Sequence, residues 1–213
     1  MTNLHDFRKD YKRDTLSRDD MSDNPIAQFE LWMKDAITSE AVAEPNAMTL
    51  VTSTPDGKPS ARVVLLKSFN EEGFVFYTNY ESRKAIELTD NPYASIVFDW
   101  HVMERQVRIE GVAKRVSEEE SDKYFYSRPK GSQLGAWVSP QSTFIDGRKE
   151  LEARQTKIES EFKEKPITRP PHWGGFVVEP HTIEFWQGRQ SRLHDRMIYI
   201  KTGDEWMLRR LAP

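Results

Sequence analysis

The chain contains no cysteine. Disulfides, thiolate nucleophiles and cysteine-ligated metals are therefore excluded. It also lacks any apolar run approaching the ~20 residues that a membrane helix needs. Met1 to Asp20 is dense in both charges and has no apolar segment of the signal-peptide kind. These absences read as a cytoplasmic protein with no membrane partner. Charge of one sign is missing too: 31 Lys and Arg face 34 Asp and Glu, leaving -3, which offers nucleic acid no electrostatic footprint. Glycine is sparse, 10 in 213 residues, and no Gly-rich phosphate fingerprint opens a helix, which argues against a Rossmann domain. The 5 histidines, His5, His101, His172, His181 and His194, are scattered. No metal site is expected. Internal repeats and low-complexity segments are absent.

What remains is a balanced globular composition, 37% hydrophobic and 31% charged, in a chain long enough to bury a core. Leu4 to Tyr11 has the makings of a short helix, but polar residues follow it, and the first segment reads equally as a disordered tail. Asn24-Pro25 marks a helix start. Ile26, Phe29, Met33, Ala36 and Ile37 then recur at helical spacing, with Trp32 and Met33 expected in the core. Ala47 to Thr54 predicts a strand ending at the turn Pro55-Asp56-Gly57. Ala61 to Phe69 predicts a second, and Phe74 to Asn79 a third. Ser82 is expected to cap a helix over Arg83 to Thr89. Tyr93 to Trp100 and Gln106 to Val116 are β-rich. Ser117 to Glu120 has the form of a capping box opening a helix to about Ser127, ended by Pro129 and Gly131. Asp146 to Phe162 predicts a charged helix with Leu151, Ile158 and Phe162 on a sparse apolar side. Strands Phe176 to Trp186 and Met197 to Thr202 follow, then Glu205 to Leu211 after a Gly203-Asp204 turn. Short turns between strands imply antiparallel pairing, so the expected class is α+β, built on an antiparallel barrel with flanking helices.

Several charge constellations point to anionic ligands. Arg62-Val63-Val64-Leu65-Leu66-Lys67 brackets an apolar run with cations. Strict alternation puts Arg62 and Lys67 on opposite faces, so both serve one ligand only if the strand twists, bulges or ends there. A buried strand with charged ends is the other reading. Arg83 and Lys84 sit in a first helical turn, where the macrodipole favours acidic residues; cations there hint at an anion supplied from outside, and Tyr77-Thr78 precedes them closely. Tyr124 and Arg128 share a helix face, Ser132 follows the break, and the three can converge on a phosphate. A capped helix end with a surface arginine has the same pattern.

The most informative stretch is Ile183 to Arg196, I-E-F-W-Q-G-R-Q-S-R-L-H-D-R. If the return from its turn is extended, Arg192, His194 and Arg196 share one face, and Trp186 offers a flat wall for a ring. Spacing alone also permits a solvated hairpin. The Glu-aromatic-Trp group followed by Arg-Leu-His-Asp-Arg resembles the C-terminal signature of the pyridoxine/pyridoxamine 5′-phosphate oxidases. The resemblance extends over nearly the whole chain through Arg62 to Lys67, Ser82-Arg83-Lys84, Glu104-Arg105-Gln106 and Trp137-Val138-Ser139-Pro140-Gln141-Ser142.

That resemblance implies an FMN-binding split barrel, with residues 1–20 as a flexible substrate flap and 21–213 as a single domain. It implies a homodimer with FMN between subunits. The implied reaction is oxidation of pyridoxamine or pyridoxine 5′-phosphate to pyridoxal 5′-phosphate, with O2 giving H2O2. The FMN contacts implied are Arg62, Val63, Val64, Leu65, Leu66, Lys67, Tyr77, Thr78, Arg83, Lys84, Gln106, Gln141, Ser142, Trp186 and Arg196. Substrate contacts would be Arg8, Tyr11, Lys67, Tyr124, Arg128, Ser132, Arg192 and His194, the last two also catalytic. Two alternatives carry the same scaffold: another flavin oxidase or reductase, for example one acting on a phenazine precursor, or a non-catalytic carrier of FMN or pyridoxal phosphate.

Overall fold

The structure is a computed structural model that describes residues 3–5 and 10–213. Residues 3–5 and 10–12 carry no helix; the remainder of the expected Leu4 to Tyr11 segment, including Arg8, lies outside the described residues. Helix α1 spans Pro25–Thr38, and the Asn24 side chain caps it by accepting from the Ile26 and Ala27 N–H groups. Trp32 and Met33 are buried as expected, whereas Ile37 is 65% exposed and leaves the apolar face. Strand β1 (Ala47–Ser53) turns back into β2 (Pro59–Leu65). β3 (Ser68–Asn70), β4 (Gly73–Asn79), β5 (Tyr93–Trp100), β6 (Arg105–Arg115), β7 (Trp173–Gln187), β8 (Asp195–Thr202) and β9 (Glu205–Leu211) complete the described strands.

All pairs are antiparallel, in the order β2-β1-β5-β6-β7-β4-β3, with β8 on β7 and β9 on β8. Burial alternates along β1 and β6, so one face of each looks into the barrel. The expected strand Ala61 to Phe69 is broken: it stops at Leu65, and Lys67 N–H then donates to Val75 O at 2.8 Å. That bond ties the end of β2 to β4, far from it in the sheet order, and curls the sheet. Phe29 of α1 plugs the barrel, with ring centroids 4.9 Å from Phe69, 4.9 Å from Phe74 and 5.0 Å from Phe98.

A helical layer covers one end. Helix α2 is Arg83–Asp90, α3 Glu118–Ser127, α4 Lys130–Val138 and α5 Arg148–Glu161. Ser117 caps α3 by accepting from Glu120 N–H at 3.1 Å. α3 ends at Ser127, ahead of Pro129, as expected, but Gly131 lies inside a further helix, α4, that the sequence pattern did not announce. α5 buries none of its residues, so its apolar side is only partly covered, and Phe162 beyond its end is the buried member. Phe125, Ala136, Phe162, Ile167 and Trp173 form a second apolar cluster that fixes this layer on β7. No helix among the described residues is long and apolar enough to cross a membrane.

Candidate active site

A cavity of about 980 Å³ opens between β2, β4 and the helices α2, α3 and α4, a size that suits a cofactor-sized ligand. It gathers Arg62, Val63, Val64, Leu65, Lys67, Tyr77, Thr78, Arg83, Lys84, Tyr124, Arg128, Ser132, Gln141 and Ser142. Arg62 and Lys67 both reach it because β2 ends between them, the condition that strict alternation demanded. Leu66 is the exception in this run: its side chain is buried in the barrel core.

At the start of α2, Ser82 occupies the cap position but makes no side-chain cap. Its hydroxyl donates instead to Asn79 O at 2.7 Å and accepts from Lys84 Nζ at 3.2 Å. Lys84 Nζ also donates to Thr78 Oγ1 and to Gln141 Oε1, each at 3.2 Å. These partners are all neutral, and Lys84 is only 8% exposed. Burial, with repulsion from Arg62 second, pushes its ammonium pKa down to about 8. A buried cation without a carboxylate is stabilised by an incoming anion.

Arg62 and Arg83 are arranged differently. Glu87, one turn along α2 from Arg83, accepts from Arg83 Nε at 2.8 Å and from Arg62 Nη2 at 3.4 Å. Ser60 donates to the same carboxylate at 2.6 Å, and Thr52 donates to it as well. Burial works against charge on Glu87, but the hydrogen bonds from Ser60, Thr52 and Arg83 prevail and hold its pKa down to about 2. Arg62 also donates to Leu50 O and Thr52 Oγ1. Burial lowers its pKa, with Glu87 opposing.

The trio Tyr124, Arg128 and Ser132 lines the same cavity, on α3, at its end and on α4. The Tyr77 and Tyr124 rings stack at 4.0 Å. Burial, with Glu120 nearby, raises the Tyr77 phenol far above its ordinary pKa. The Arg128 guanidinium lies over the Trp173 ring, 4.5 Å from its centroid. Arg128 Nη1 is buried with no hydrogen-bond partner.

The remaining site residues lie elsewhere on the chain. Gln106, Trp186 and Arg196 are direct cross-strand neighbours on β6, β7 and β8, so they share one face of the sheet. Gln106 and Trp186 border a smaller cavity of about 400 Å³ with Tyr11, and it shares no residue with the large one. Trp186 and His194 rings are 4.6 Å apart, and Tyr11 meets each edge-on at 5.7 Å. Gly188 permits this approach, since a Cβ there would fall 2.7 Å from Tyr11 Cγ.

The expected extended return past the turn is not found. Gln190–Arg192 forms a 3-10 turn, Ser191 and Arg192 have φ of 55° and 60°, and β8 begins only at Asp195. Arg192, His194 and Arg196 therefore do not form one strand face. Arg192 is exposed on the turn. Arg196 is paired with Glu184. His194 turns inward, and its Nδ1 accepts from Arg189 N–H at 3.0 Å. That bond places the neutral ring's proton on Nε2. Burial, then Arg192, lowers the imidazole pKa, consistent with the neutral form.

Sequence reasoning passed over Glu87 and Trp173. Glu87 stands four residues after Arg83, a helical ion-pair spacing that was readable. Trp173 carried no local signal, because it meets Arg128 only through the tertiary fold.

Comparison with known proteins matches this architecture. Residues 33–161 match the family described as pyridoxamine 5′-phosphate oxidase, and residues 173–213 match the pyridoxine 5′-phosphate oxidase C-terminal dimerisation region. The chain is 52% identical to the pyridoxine/pyridoxamine 5′-phosphate oxidase of Cyanothece sp. over 99% of this chain and 98% of that one. It is 52% identical to the corresponding protein of Salinibacter ruber over 100% of both chains. Among solved structures, PhzG from Burkholderia lata, in complex with tetrahydrophenazine-1-carboxylic acid, superposes with a TM-score of 0.87 at 33% identity, covering 94% of this chain and 98% of that chain. An FMN-binding protein from Nostoc punctiforme superposes with a TM-score of 0.70 at 18% identity, covering 91% and 100%, and shows the shared fold.

Proposed function

The chain belongs to the pyridoxine/pyridoxamine 5′-phosphate oxidase family, and from that premise we propose how its residues divide the work of one composite site. The protein is an FMN-dependent oxidase that forms pyridoxal 5′-phosphate from pyridoxine or pyridoxamine 5′-phosphate, and it is a homodimer. One observation carries the assignment of the site. The large cavity holds two cationic groups without a carboxylate partner among the described residues, buried Lys84 and Arg128 with its buried Nη1. The reaction brings two phosphates, one on the cofactor and one on the substrate.

The donor set fits FMN. Lys84, Thr78, Arg83 and Arg62 would hold its phosphate at the start of α2, with Tyr77, Gln141, Ser142 and the Val63–Leu66 backbone alongside. Arg128, Tyr124, Ser132 and Lys67 would hold the substrate's 5′-phosphate. When bound, FMN supplies a two-electron acceptor that takes hydride from the substrate's C4′ carbon, with O2 as final acceptor and H2O2 as product.

Gln106 and Trp186 line another cavity of the same chain, His194 and Arg196 adjoin Trp186, and Arg192 stands on the turn before His194. We assign them to the partner's site, so that each FMN lies between two subunits. His194, neutral and with Nε2–H as its donor, would orient the pyridine ring. Arg192 on the turn would steady developing charge or move a proton. Tyr11, resting on Trp186 and His194, supports reading residues 1–20 as a substrate flap over a domain of residues 21–213.

The phosphate trio separates this reading from a phenazine-type activity. The ligand in the PhzG structure is a carboxylic acid without phosphate, whereas Tyr124, Arg128 and Ser132 converge here on one cavity. The test is aerobic turnover: pyridoxine 5′-phosphate should yield pyridoxal 5′-phosphate and H2O2 in equal amounts, from protein that releases FMN on denaturation. Bound FMN without turnover would make the protein a carrier.

A further inference from the structure

We propose that Trp173 is a positioning residue that sets selectivity for phosphorylated substrates by holding the Arg128 guanidinium over its indole face, leaving the guanidinium's N–H groups for phosphate. The inference rests on the reading of Arg128 as the ligand of the substrate's 5′-phosphate.

Arginine beside an acidic helix ordinarily collapses onto a carboxylate. α3 opens with Glu118, Glu119 and Glu120, with Asp122 close behind. Two of these are occupied elsewhere. Asp122 accepts from Arg169 Nε at 2.6 Å, and Glu120 Oε1 accepts from the Tyr77 hydroxyl at 3.4 Å. Arg128, at the far end of α3, has no carboxylate partner among the described residues and sits 4.5 Å from the Trp173 ring centroid. A carboxylate partner would occupy in-plane N–H donors, the same ones a phosphate would use. An aromatic face attracts the cation through its quadrupole and occupies none of them. The buried, unpartnered Nη1 is the sign that a donor has been kept open.

The indole is a rigid platform. It is 6% exposed and stacks near-parallel to Tyr77 at 5.6 Å and Tyr124 at 6.2 Å, with Phe125 edge-on at 5.4 Å. Its backbone is pinned at both polar groups: Trp173 N–H donates to Pro170 O at 3.0 Å, and Trp173 O accepts from Arg169 Nη1 at 2.8 Å. Tyr124, itself a phosphate candidate, lies in the same stack, so indole and phenol together fix where the phosphate donors stand. Trp173 also lines the large cavity, which places the platform beside the ligand.

The experiment compares Trp173→Leu and Trp173→Phe holoenzymes with wild type, using pyridoxine 5′-phosphate and unphosphorylated pyridoxine. Trp173→Leu should raise KM for the phosphorylated substrate about tenfold. Its kcat and FMN content should hold, kcat/KM for pyridoxine should not change, and Trp173→Phe should recover most of the loss. In an Arg128→Ala background, Trp173→Leu should add nothing, since the indole acts through the guanidinium. Unchanged KM, or equal losses for both substrates, would overturn the proposal. If Trp173→Leu does not fold, Trp173→Met decides: a rise in KM confined to the phosphorylated substrate supports the proposal, and an unchanged KM overturns it. Arg128→Ala alone separates the premises, because retained phosphate selectivity there would remove the phosphate site itself, whatever Trp173 does.

Discussion

Glu184 grips Arg196 with both carboxylate oxygens: Arg196 Nε donates to Oε1 at 2.7 Å and Nη2 to Oε2 at 3.0 Å. The remaining terminal nitrogen, Nη1, donates to Ala212 O at 2.9 Å, and Arg108 Nη2 reaches the same carboxylate at 2.6 Å. The guanidinium beside Trp186 is thus aimed by a buried acid and by the C-terminal strand's end. Glu184→Gln removes the charge and leaves two arginines short of an acceptor. We expect a loss of about 1–3 kcal/mol in urea unfolding and about tenfold weaker FMN binding by fluorescence titration. Undiminished FMN affinity would remove Arg196 from the cofactor's contacts.

Lys84 makes the apoprotein's stability depend on pH in an unusual direction. An unfolded lysine titrates near 10.5, but the folded one titrates at about 8. Between those values the unfolded chain binds more protons, so apoprotein stability rises with pH there. The penalty is fully present below about 8. An FMN phosphate held at Lys84, as proposed, would restore the charge, so FMN binding should take up a proton above pH 8 and weaken as pH rises. Calorimetry in buffers of different ionisation enthalpy reads that proton. Lys84→Met should stabilise the apoprotein by roughly 1–3 kcal/mol at pH 7 and abolish the proton uptake. Titrations with the same pH slope in both proteins would exclude Lys84 from the phosphate site.

Glu87 works in the opposite sense. Its folded pKa of about 2 lies below the ordinary 4.5. Its contribution is present above pH 4.5 and disappears as pH falls through about 2. Glu87→Gln should therefore cost about 1–3 kcal/mol at pH 7, and the gap from wild type should close progressively under acid. Urea midpoints from pH 7 to pH 2 make the comparison. A pH-independent gap would assign the loss to packing. Because Glu87 also holds Arg62 and Arg83, FMN affinity should fall with it.

Arg128→Ala and Arg192→Ala should fail differently. On the proposed assignment Arg128 would meet the non-reacting phosphate, whose binding is common to ground and transition states, so its loss should chiefly raise KM, by about ten- to a hundredfold. Arg192 stands on the turn before His194, and in the proposed composite site it would lie over the reacting ring. A misplaced ring lengthens the hydride path, and kcat should drop by up to ~100-fold with FMN retained. Steady-state kinetics on both variants gives the comparison. Full kcat in Arg192→Ala would make the turn a bystander.

Local chemistry by itself determined most of the scaffold. Asn24-Pro25 set the start of α1, Ser117 that of α3, and the alternation in β1 and β6 was readable because a half-buried strand repeats every two residues. The cation clusters were readable for a related reason: arginine and lysine at fixed spacing around a helix start or strand end point to an anion when a whole signature surrounds them. Tertiary structure decided what those cations are paired with. Among the described residues Lys84 and Arg128 stand without carboxylates, whereas Arg62 is bound to Glu87 and Arg196 to Glu184, and no spacing rule distinguishes the two cases. It also decided that β2 stops at Leu65, that a 3-10 turn displaces Arg192 from the face of Arg196, and that Trp173 lies under Arg128. These depend on how a sheet curls and on which side chains meet across it, and contacts between residues far apart in the chain are not encoded in any short window of it.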